Sequence, residues 1–338
     1  MESLLLVITL AVLAGVTFLN GFLDASNAVS SAVRTRALTP RLAIIIVSLF
    51  TATGTFLATS LGSTLADRFQ SSVPHGPAGL VTVLCGLLAA GTWGLFTWWK
   101  GQPSSSTHAM LAGLAGAGLA AAAVGLEHPA DAAALLLRQV LLPLVVTSLL
   151  APVLAYALVI PIVWCLRHTP PRKINEAGRS AQAIGAAAVA LAHGVQDGQR
   201  AVAMTVVTVS AAGLAVPDGS MIWLEVCAAL LLGGGVLGGG WRITHTLSTR
   251  LVTLDPLRAG AANAVSATLL FVGAFALKLP ISSTQAVTAA LVGAGINQRH
   301  STVNWATARR ILGFWLATPL ACALLAGTLM LAASPLLR

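Results

Sequence analysis

The stretch Pro103-Ser104-Ser105-Ser106-Thr107-His108 returns in the second half of the chain as Pro280-Ile281-Ser282-Ser283-Thr284-Gln285. Both copies lie within strongly apolar sequence. An aspartate inside a long apolar segment precedes each copy, Asp24 in the first half and Asp197 in the second. A polar cluster that is duplicated within apolar segments is typical of a membrane protein built from two related halves, with its site where the halves meet.

The composition excludes a soluble domain. Of 338 residues, 57% are hydrophobic and 9% are charged, whereas a soluble domain carries about 25% charged residues. The mean hydropathy is +0.87. We therefore predict an all-α polytopic membrane protein with roughly 10–12 membrane elements, some of them broken or re-entrant. The apolar segments lie at 3–33, 41–62, 78–99, 103–124, 133–166, 181–213, 220–241, 258–278, 281–297 and 307–333.

The net charge of +9 would suggest a nucleic-acid partner in a soluble protein. Here the basic residues lie in short loops between apolar segments, as the positive-inside rule describes. The bilayer is therefore the expected partner, with no nucleic acid, and the expected location is the cell membrane.

Corresponding loops of the two halves carry opposite charge bias. The segment after the Asp24 motif holds Arg34, Arg36 and Arg41, whereas its counterpart, 210–220, has no basic residue. In the pairs 66–79 with 241–258 and 125–132 with 298–310, the pattern is inverted, and the second-half loop is the more basic one. We predict two repeats of inverted topology, residues 1–166 and 181–338. A cytoplasmic linker at 167–180 would join them, and both termini would lie outside the cytoplasm.

The two aspartates predict cation binding. An ionised aspartate at the bilayer centre costs about 2.5–3.5 kcal/mol, so it persists when it pairs, binds a cation or titrates. Asn27 lies one turn after Asp24, and Gln199 lies close to Asp197. Their oxygens, with carbonyls freed at helix breaks near Gly21, Gly194 and Gly198, suit a hard cation. The predicted coupling-cation residues are Asp24, Asn27, Asp197 and Gln199, with both aspartates as ligands if the ion is Na⁺. A structural hydrogen bond to a neighbouring helix is the alternative for either aspartate alone.

The two Pro-Ser-Thr stretches predict oxyanion binding. A proline suits the first turn of a helix, and the N–H groups and hydroxyls that follow it can hold an anion. The predicted anion-binding residues are Ser105, Ser106, Thr107, Ser282, Ser283 and Thr284. For one run alone, an ordinary helix N-cap is the simpler interpretation. His108 and His193 are candidates for a proton relay, although a lone buried histidine is more often a core residue. Two anion-binding and two acidic elements together predict an anion–cation symporter, with Na⁺ or H⁺ as the coupling ion and no covalent cofactor.

The motifs resemble those of the inorganic phosphate transporter (PiT) family of secondary carriers. Residues 21–28 match the pattern G-x-x-D-x-x-N-A, and 192–200 resemble S/A-H-G-A-N-D-G-Q-K/R. Residues 103–108, and less closely 280–285, match P-x-S-T-T-H. The resemblance implies import of inorganic phosphate by alternating access, with the anion held near the membrane midplane and Gln196 among its ligands.

Three positions depart from the family pattern, at Leu23, at Val195-Gln196 and at Gln285. They leave sulfate and a metal–phosphate complex as alternative substrates. An intramembrane aspartyl protease is less favoured, since it gives the Ser/Thr stretches no role. A passive ion channel is less favoured because inverted repeats with half-helix sites suit alternating access. A homodimer is compatible with the sequence.

Overall fold

The computed structural model describes residues 2–60, 73–126, 129–217, 219–298 and 303–337, and these residues are almost entirely helical. Eight helical stretches in this part of the chain are long and apolar enough to cross a bilayer. The prediction of an all-α polytopic membrane protein is thereby confirmed. The helices are α1 Glu2–Arg34, α2 Pro40–Ser60, α3 Pro77–Trp99, α4 Ser106–Ala123, α5 Pro129–Leu135, α6 Leu142–Cys165, α7 Pro171–Ala211, α8 Met221–Gly238, α9 Trp241–His245, α10 Pro256–Phe271, α11 Ser283–Ile296 and α12 Trp305–Ala333.

Three short π-helical segments extend these helices. Leu136–Leu141 joins α5 to α6, Thr246–Leu251 follows α9, and Val272–Leu277 follows α10. Some loop residues that entered the charge argument, among them Arg68, Glu127, Asp218 and Arg299, lie outside the described residues.

The two halves are inverted with respect to each other. The corresponding helices α1 and α7, which carry the motif aspartates, pack together. Asn20 Nδ2 donates to Asp197 Oδ2 at 2.6 Å, and Gln182 Nε2 donates to Ser31 Oγ at 2.5 Å. Residues later in α1 therefore contact residues earlier in α7. The two helices run antiparallel, as inverted repeats require.

Helix packing repeats this symmetry. Helix α1 packs on α8 while α7 packs on α2, and α4 packs on α12 while α11 packs on α6. Glycines make the contacts close: a Cβ at Gly21 would meet the carbonyl of Leu232, and one at Gly194 would meet that of Thr51. Each half therefore packs largely against the other, and the repeats form one bundle.

The expected helix breaks near Gly21, Gly194 and Gly198 do not occur. Both α1 and α7 are continuous through their motifs, over 33 and 41 residues. The glycines of these motifs are points of close helix contact and not points of flexibility. Within a membrane, small residues serve chiefly to let helix backbones approach one another.

The helix pairs α3–α4 and α10–α11 form two hairpins whose outer ends lie at opposite ends of the bundle. Near the start of α3, Gly76 N–H bonds to Ala211 O at the end of α7. Leu126, just past α4, packs with Val81 of α3 against one apolar cluster. The start of α3 and the end of α4 therefore lie at the same end of the bundle.

The second hairpin starts and ends at the opposite end of the bundle. Gly178, near the start of α7, lies against Pro256 at the start of α10, and Gly295 of α11 lies against Val252 and Val303. The turns of both hairpins use the left-handed backbone at matched positions, at Gly101 with φ 65° and at Lys278 with φ 50°.

The segments predicted to be cytoplasmic gather at the end where the second hairpin enters, which we call the basic end. Arg34 and Leu254 line one cavity there, and Arg167 and Asp255 line another. Helix α7 begins at Pro171, inside the predicted linker 167–180. The domain boundaries and the assignment of this end to the cytoplasm stay predictions.

Candidate functional site

Asp24 and Asp197 come together in one buried site between the hairpins. Their side chains lie on the antiparallel helices α1 and α7 and are 5% and 2% exposed. One ligand atom from each of Asp24, His193 and Asp197 lies within 4.8 Å of the others. The two acidic positions therefore form a single shared centre.

The Ser/Thr stretches form the N-termini of α4 and α11. Ser105 Oγ accepts from His108 N–H at 3.1 Å, and Ser282 Oγ accepts from Gln285 N–H at 3.3 Å. These two serines are thus N-caps, and the helices begin at the next residue, Ser106 or Ser283. The capping hydroxyls fix where the positive end of each helix dipole points.

Neutral side chains from both hairpins donate hydrogen bonds to the Asp24 carboxylate. Ser106 Oγ donates to Asp24 Oδ2 at 2.8 Å, and Thr284 Oγ1 donates to Oδ1 at 2.7 Å. Asn27 Nδ2 lies 3.1 Å from the same Oδ1 and also reaches the hydroxyls of Ser283 and Thr284, at 3.3 and 3.2 Å. One carboxylate thereby links the two inverted halves.

Asp197 has a cationic partner. Arg200 Nη1 lies 3.0 Å from Asp197 Oδ1 and also donates to the Thr107 hydroxyl of the first hairpin. Asn20 Nδ2 and His193 Nδ1 contact Asp197 Oδ2, at 2.6 and 3.2 Å. No arginine or lysine pairs with Asp24 in the described part of the chain, so the duplicated aspartates differ electrostatically.

Asn20 and Arg200 are the site residues that sequence reasoning missed. Aligning Asp24 with Asp197 places Asn20 opposite His193 and Asn27 opposite Arg200. That internal alignment was the available signal, since two of these four positions were already candidates. Arg200 is the last residue of the motif 192–200, and the motif alone predicts no role for it.

Gln196 and Gln199 direct their amide nitrogens at the backbone of neighbouring helices. Gln196 Nε2 donates to Leu270 O at 3.1 Å and to Leu279 O at 3.3 Å, on either side of the π-helical segment after α10. Gln199 Nε2 donates to Ala58 O of α2 at 3.2 Å. These contacts tie α7 to the second hairpin and to α2.

His108 and Gln285 occupy matched positions in the first turn of α4 and α11, and both are 0% exposed. The ring nitrogens of His108 and the amide atoms of Gln285 have no hydrogen-bond partner among the described residues. Leaving a buried polar group unpaired is costly. Both side chains are therefore candidates to contact a transported ion or its water.

A cavity of about 40 Å³ adjoins the site on the side away from the basic end. Its polar lining includes Asn20, Asp197, Arg200 and the stretch 104–106, and it continues past Thr17 of α1. A single water molecule needs roughly 10–15 Å³ of such space, so the cavity suits a few waters.

The chain is similar to known phosphate transporters over most of its length. It matches the family described as "Phosphate transporter family" twice, over residues 20–176 and 166–326. A probable low-affinity inorganic phosphate transporter of Bacillus subtilis is 31% identical over 321 residues, covering 94% of each chain. One from Rhizobium meliloti is 31% identical over 342 residues, covering 97% of this chain and 96% of the relative.

A solved structure described as the sodium-dependent phosphate transporter superposes with a TM-score of 0.82 at 20% identity, covering 98% of this chain and 99% of that one. It confirms the fold. The double family match agrees with the inverted repeats seen in the bundle. The chain therefore belongs to the phosphate transporter family, a family of membrane carriers and not of enzymes.

Proposed function

We propose that the protein imports inorganic phosphate in symport with Na⁺ by alternating access, binding the anion between the N-termini of α4 and α11. The observation that carries the proposal is the meeting of Ser106, Thr107 and Thr284 with two aspartates and Arg200 in one buried centre. Hairpins that enter from opposite ends suit a site reached from each side in turn.

Neutral donors and one guanidinium would hold the phosphate. Hydroxyls of Ser106, Thr107, Ser283 and Thr284 lie at two helix N-termini, where free N–H groups and the helix dipole favour an anion. Arginine matches phosphate oxygens with two parallel N–H bonds. Arg200 already contacts a hydroxyl of the first hairpin, so it needs to move little to meet an anion there.

Oxygen atoms around Asp24 fit Na⁺. Besides the Asp24 carboxylate, Asn20 Oδ1 and Asn27 Oδ1 are buried and have no hydrogen-bond partner among the described residues. Hard cations prefer carboxylate and amide oxygens. Asp197 is less suited, because Arg200 already balances its charge.

Charge balance supplies the coupling. With Asp197 paired to Arg200, Asp24 and the phosphate would leave excess negative charge in a buried site. A cation between them would attract both, and two unit charges 4 Å apart interact by about 4 kcal/mol at an effective dielectric constant of 20. That is close to a thousandfold in affinity. Each ion would therefore strengthen binding of the other, by the same factor in both directions.

Proton coupling is the second candidate. His193 lies 3.2 Å from Asp197 and within the same cluster as Asp24. Histidine is the side chain whose ordinary pKa lies nearest neutrality. Protonation of His193 would supply the positive charge that Na⁺ supplies in the first proposal.

Uptake by proteoliposomes tests these proposals. We expect ³²P-phosphate to accumulate under an inward Na⁺ gradient and to stop when choline replaces Na⁺ at fixed pH. Uptake that survives in choline and stops when a pH gradient is collapsed would favour H⁺. Sulfate accumulation without phosphate accumulation would contradict the substrate, and a planar-bilayer current far above any carrier rate would indicate a channel.

A further inference from the structure

A second polar cluster lies inside the bundle between the central site and the basic end. Gln182 of α7 donates to Ser31 Oγ of α1 at 2.5 Å, and Ser31 Oγ lies 3.5 Å from Asn263 Oδ1 of α10. Ser30 and Thr288, also buried, extend the set on α1 and α11. We call Ser30, Ser31, Gln182, Asn263 and Thr288 the inner cluster. It continues the site directly, since Ser31 lies one turn after Asn27 and Thr288 one turn after Thr284.

Much of the hydrogen-bonding capacity of the inner cluster is unused. Ser30 Oγ, Thr288 Oγ1, Gln182 Oε1 and Asn263 Nδ2 have no partner among the described residues, and their side chains are at most 2% exposed. Buried polar groups are nearly always paired in folded proteins. Four unpaired atoms from four helices therefore indicate that the cluster meets a polar ligand.

Duplication does not explain this polarity. Aligning Asp24 with Asp197 places Ser30 and Ser31 opposite Ala203 and Met204, and aligning Ser106 with Ser283 places Thr288 opposite Leu111. The three counterparts, Leu111, Ala203 and Met204, belong to one buried apolar cluster. At these three pairs of positions, the residues toward the basic end are polar and their counterparts toward the other end are apolar.

The inner cluster also leads toward the surface. On α1, Asp24, Asn27, Ser31 and Arg34 follow at intervals of three or four residues, so they share a helix face. Ser31 and Arg34 line a cavity of about 10 Å³ at the basic end, and Arg34 is exposed there. The larger cavity beside the central site extends in the opposite direction, past Thr17.

We propose that the inner cluster is a second binding position for the transported oxyanion, occupied between the central site and the basic end. The inference rests on the proposed function. Hydroxyl hydrogens and the Asn263 amide can replace the donors that the anion leaves at the hairpin tips. Arg34 then offers a positive charge at the exit, so the anion is never without donors along the way.

Cysteine accessibility tests the route. In a background without Cys85, Cys165, Cys227 and Cys322, Ser31→Cys and its repeat counterpart Met204→Cys form a matched pair. A membrane-impermeant, negatively charged methanethiosulfonate is applied to the basic end during Na⁺-driven phosphate uptake. We expect modification of Ser31→Cys at least tenfold faster than of Met204→Cys, with protection by phosphate. Equal labelling of the pair would overturn the inference. Wild-type protein that neither binds nor carries phosphate would contradict the proposed function itself.

Thr288→Val tests the cluster with little expected loss of stability, because the hydroxyl that it removes forms no hydrogen bond among the described residues. We expect the phosphate Kd of the detergent-solubilised protein to change less than twofold, while the maximal uptake rate falls about tenfold. The control is Thr82→Val, which removes another fully buried hydroxyl from α3 and should change neither value. A weaker Kd with an unchanged rate, or no change in either, would contradict a separate exit-side position.

Discussion

Asp24 and Asp197 occupy equivalent positions on α1 and α7 but have different partners. Asp197 forms a buried ion pair with Arg200, whereas Asp24 accepts hydrogen bonds from neutral side chains. The difference follows from one residue in each motif, because the residue three positions after the aspartate is Asn27 in one repeat and Arg200 in the other. One aspartate is thus needed to balance an arginine, and the other remains available for a cation.

Neutralising the two aspartates one at a time should separate these roles. Asp197→Asn leaves Arg200 buried without its counter-charge, which typically costs about 3–5 kcal/mol, so we expect a clearly lower Tm in detergent. Asp24→Asn should keep Tm close to that of the wild type but abolish Na⁺-stimulated uptake. Glu176→Gln is the control, since its pair with Arg172 is exposed and such pairs contribute little. Equal losses of Tm in the two aspartate variants would argue against the asymmetry.

Arg200 should bind the anion as well as balance Asp197, and a double variant separates the two effects. Arg200→Gln alone leaves Asp197 unpaired and should lower Tm. Adding Asp197→Asn removes both charges and should restore Tm. Phosphate binding should remain weakened in the double variant, because a charge-assisted hydrogen bond contributes about 1.5–3 kcal/mol, or roughly 10- to 150-fold. If Kd recovers together with Tm, Arg200 only positions Asp197.

At the scale of elements, the hairpins have the same outline but are attached differently. Gln196 bonds to Leu270 O and Leu279 O and so spans the π-helical segment of the second hairpin. The equivalent residue in α1 is Leu23, whose aliphatic side chain cannot form such bonds and instead lines the cavity by the site. The second hairpin is therefore fastened to α7 by a side-chain amide, whereas the first has no equivalent amide at Leu23.

Gln196→Leu should release the second hairpin. We expect faster amide hydrogen exchange in residues 272–282, because the substitution removes the donor that joins both sides of the π-helical segment to α7. Gln199→Leu serves as the control, since Gln199 bonds to α2 and should leave that exchange unchanged. If Gln196 instead contacts phosphate, as the family resemblance implies, the phosphate Kd should weaken at least tenfold while exchange in 272–282 stays at the wild-type rate.

Much of this element-level arrangement follows from local sequence. Apolar length predicts the spanning helices, and a serine two residues after a proline marks where α4 and α11 begin. The contacts of Arg200 and Gln196 do not follow in the same way, because they depend on which helices lie beside α7. The continuity of α1 and α7 was mispredicted for a related reason. The sequence does not distinguish a glycine that allows a kink from one that allows a close helix contact. At Gly21 and Gly194 the contact is made with the backbone of Leu232 and Thr51, which come from other helices.

For the whole molecule, inversion gives the two ends of the bundle a similar arrangement of helices, so the helices alone do not show which end faces the cytoplasm. Loop charge therefore sets the orientation. Basic residues flanking α1, the linker and α10 meet at one end, whereas the segment that follows α7 lies at the other. The positive-inside rule predicts that the basic end faces the cytoplasm. The inner cluster would then lie on the exit side for imported phosphate.

Thiol labelling of intact cells tests this orientation directly. In the cysteine-free background, Lys173→Cys places a thiol at the basic end, and Leu214→Cys places one just past α7 at the opposite end, where the side chain is 54% exposed. We expect an impermeant maleimide to label Leu214→Cys in intact cells, and Lys173→Cys only after the membrane is opened. The reverse pattern would place the basic end outside. The route through Ser31 and Arg34 would then be the entrance, and the cavity past Thr17 would be the exit.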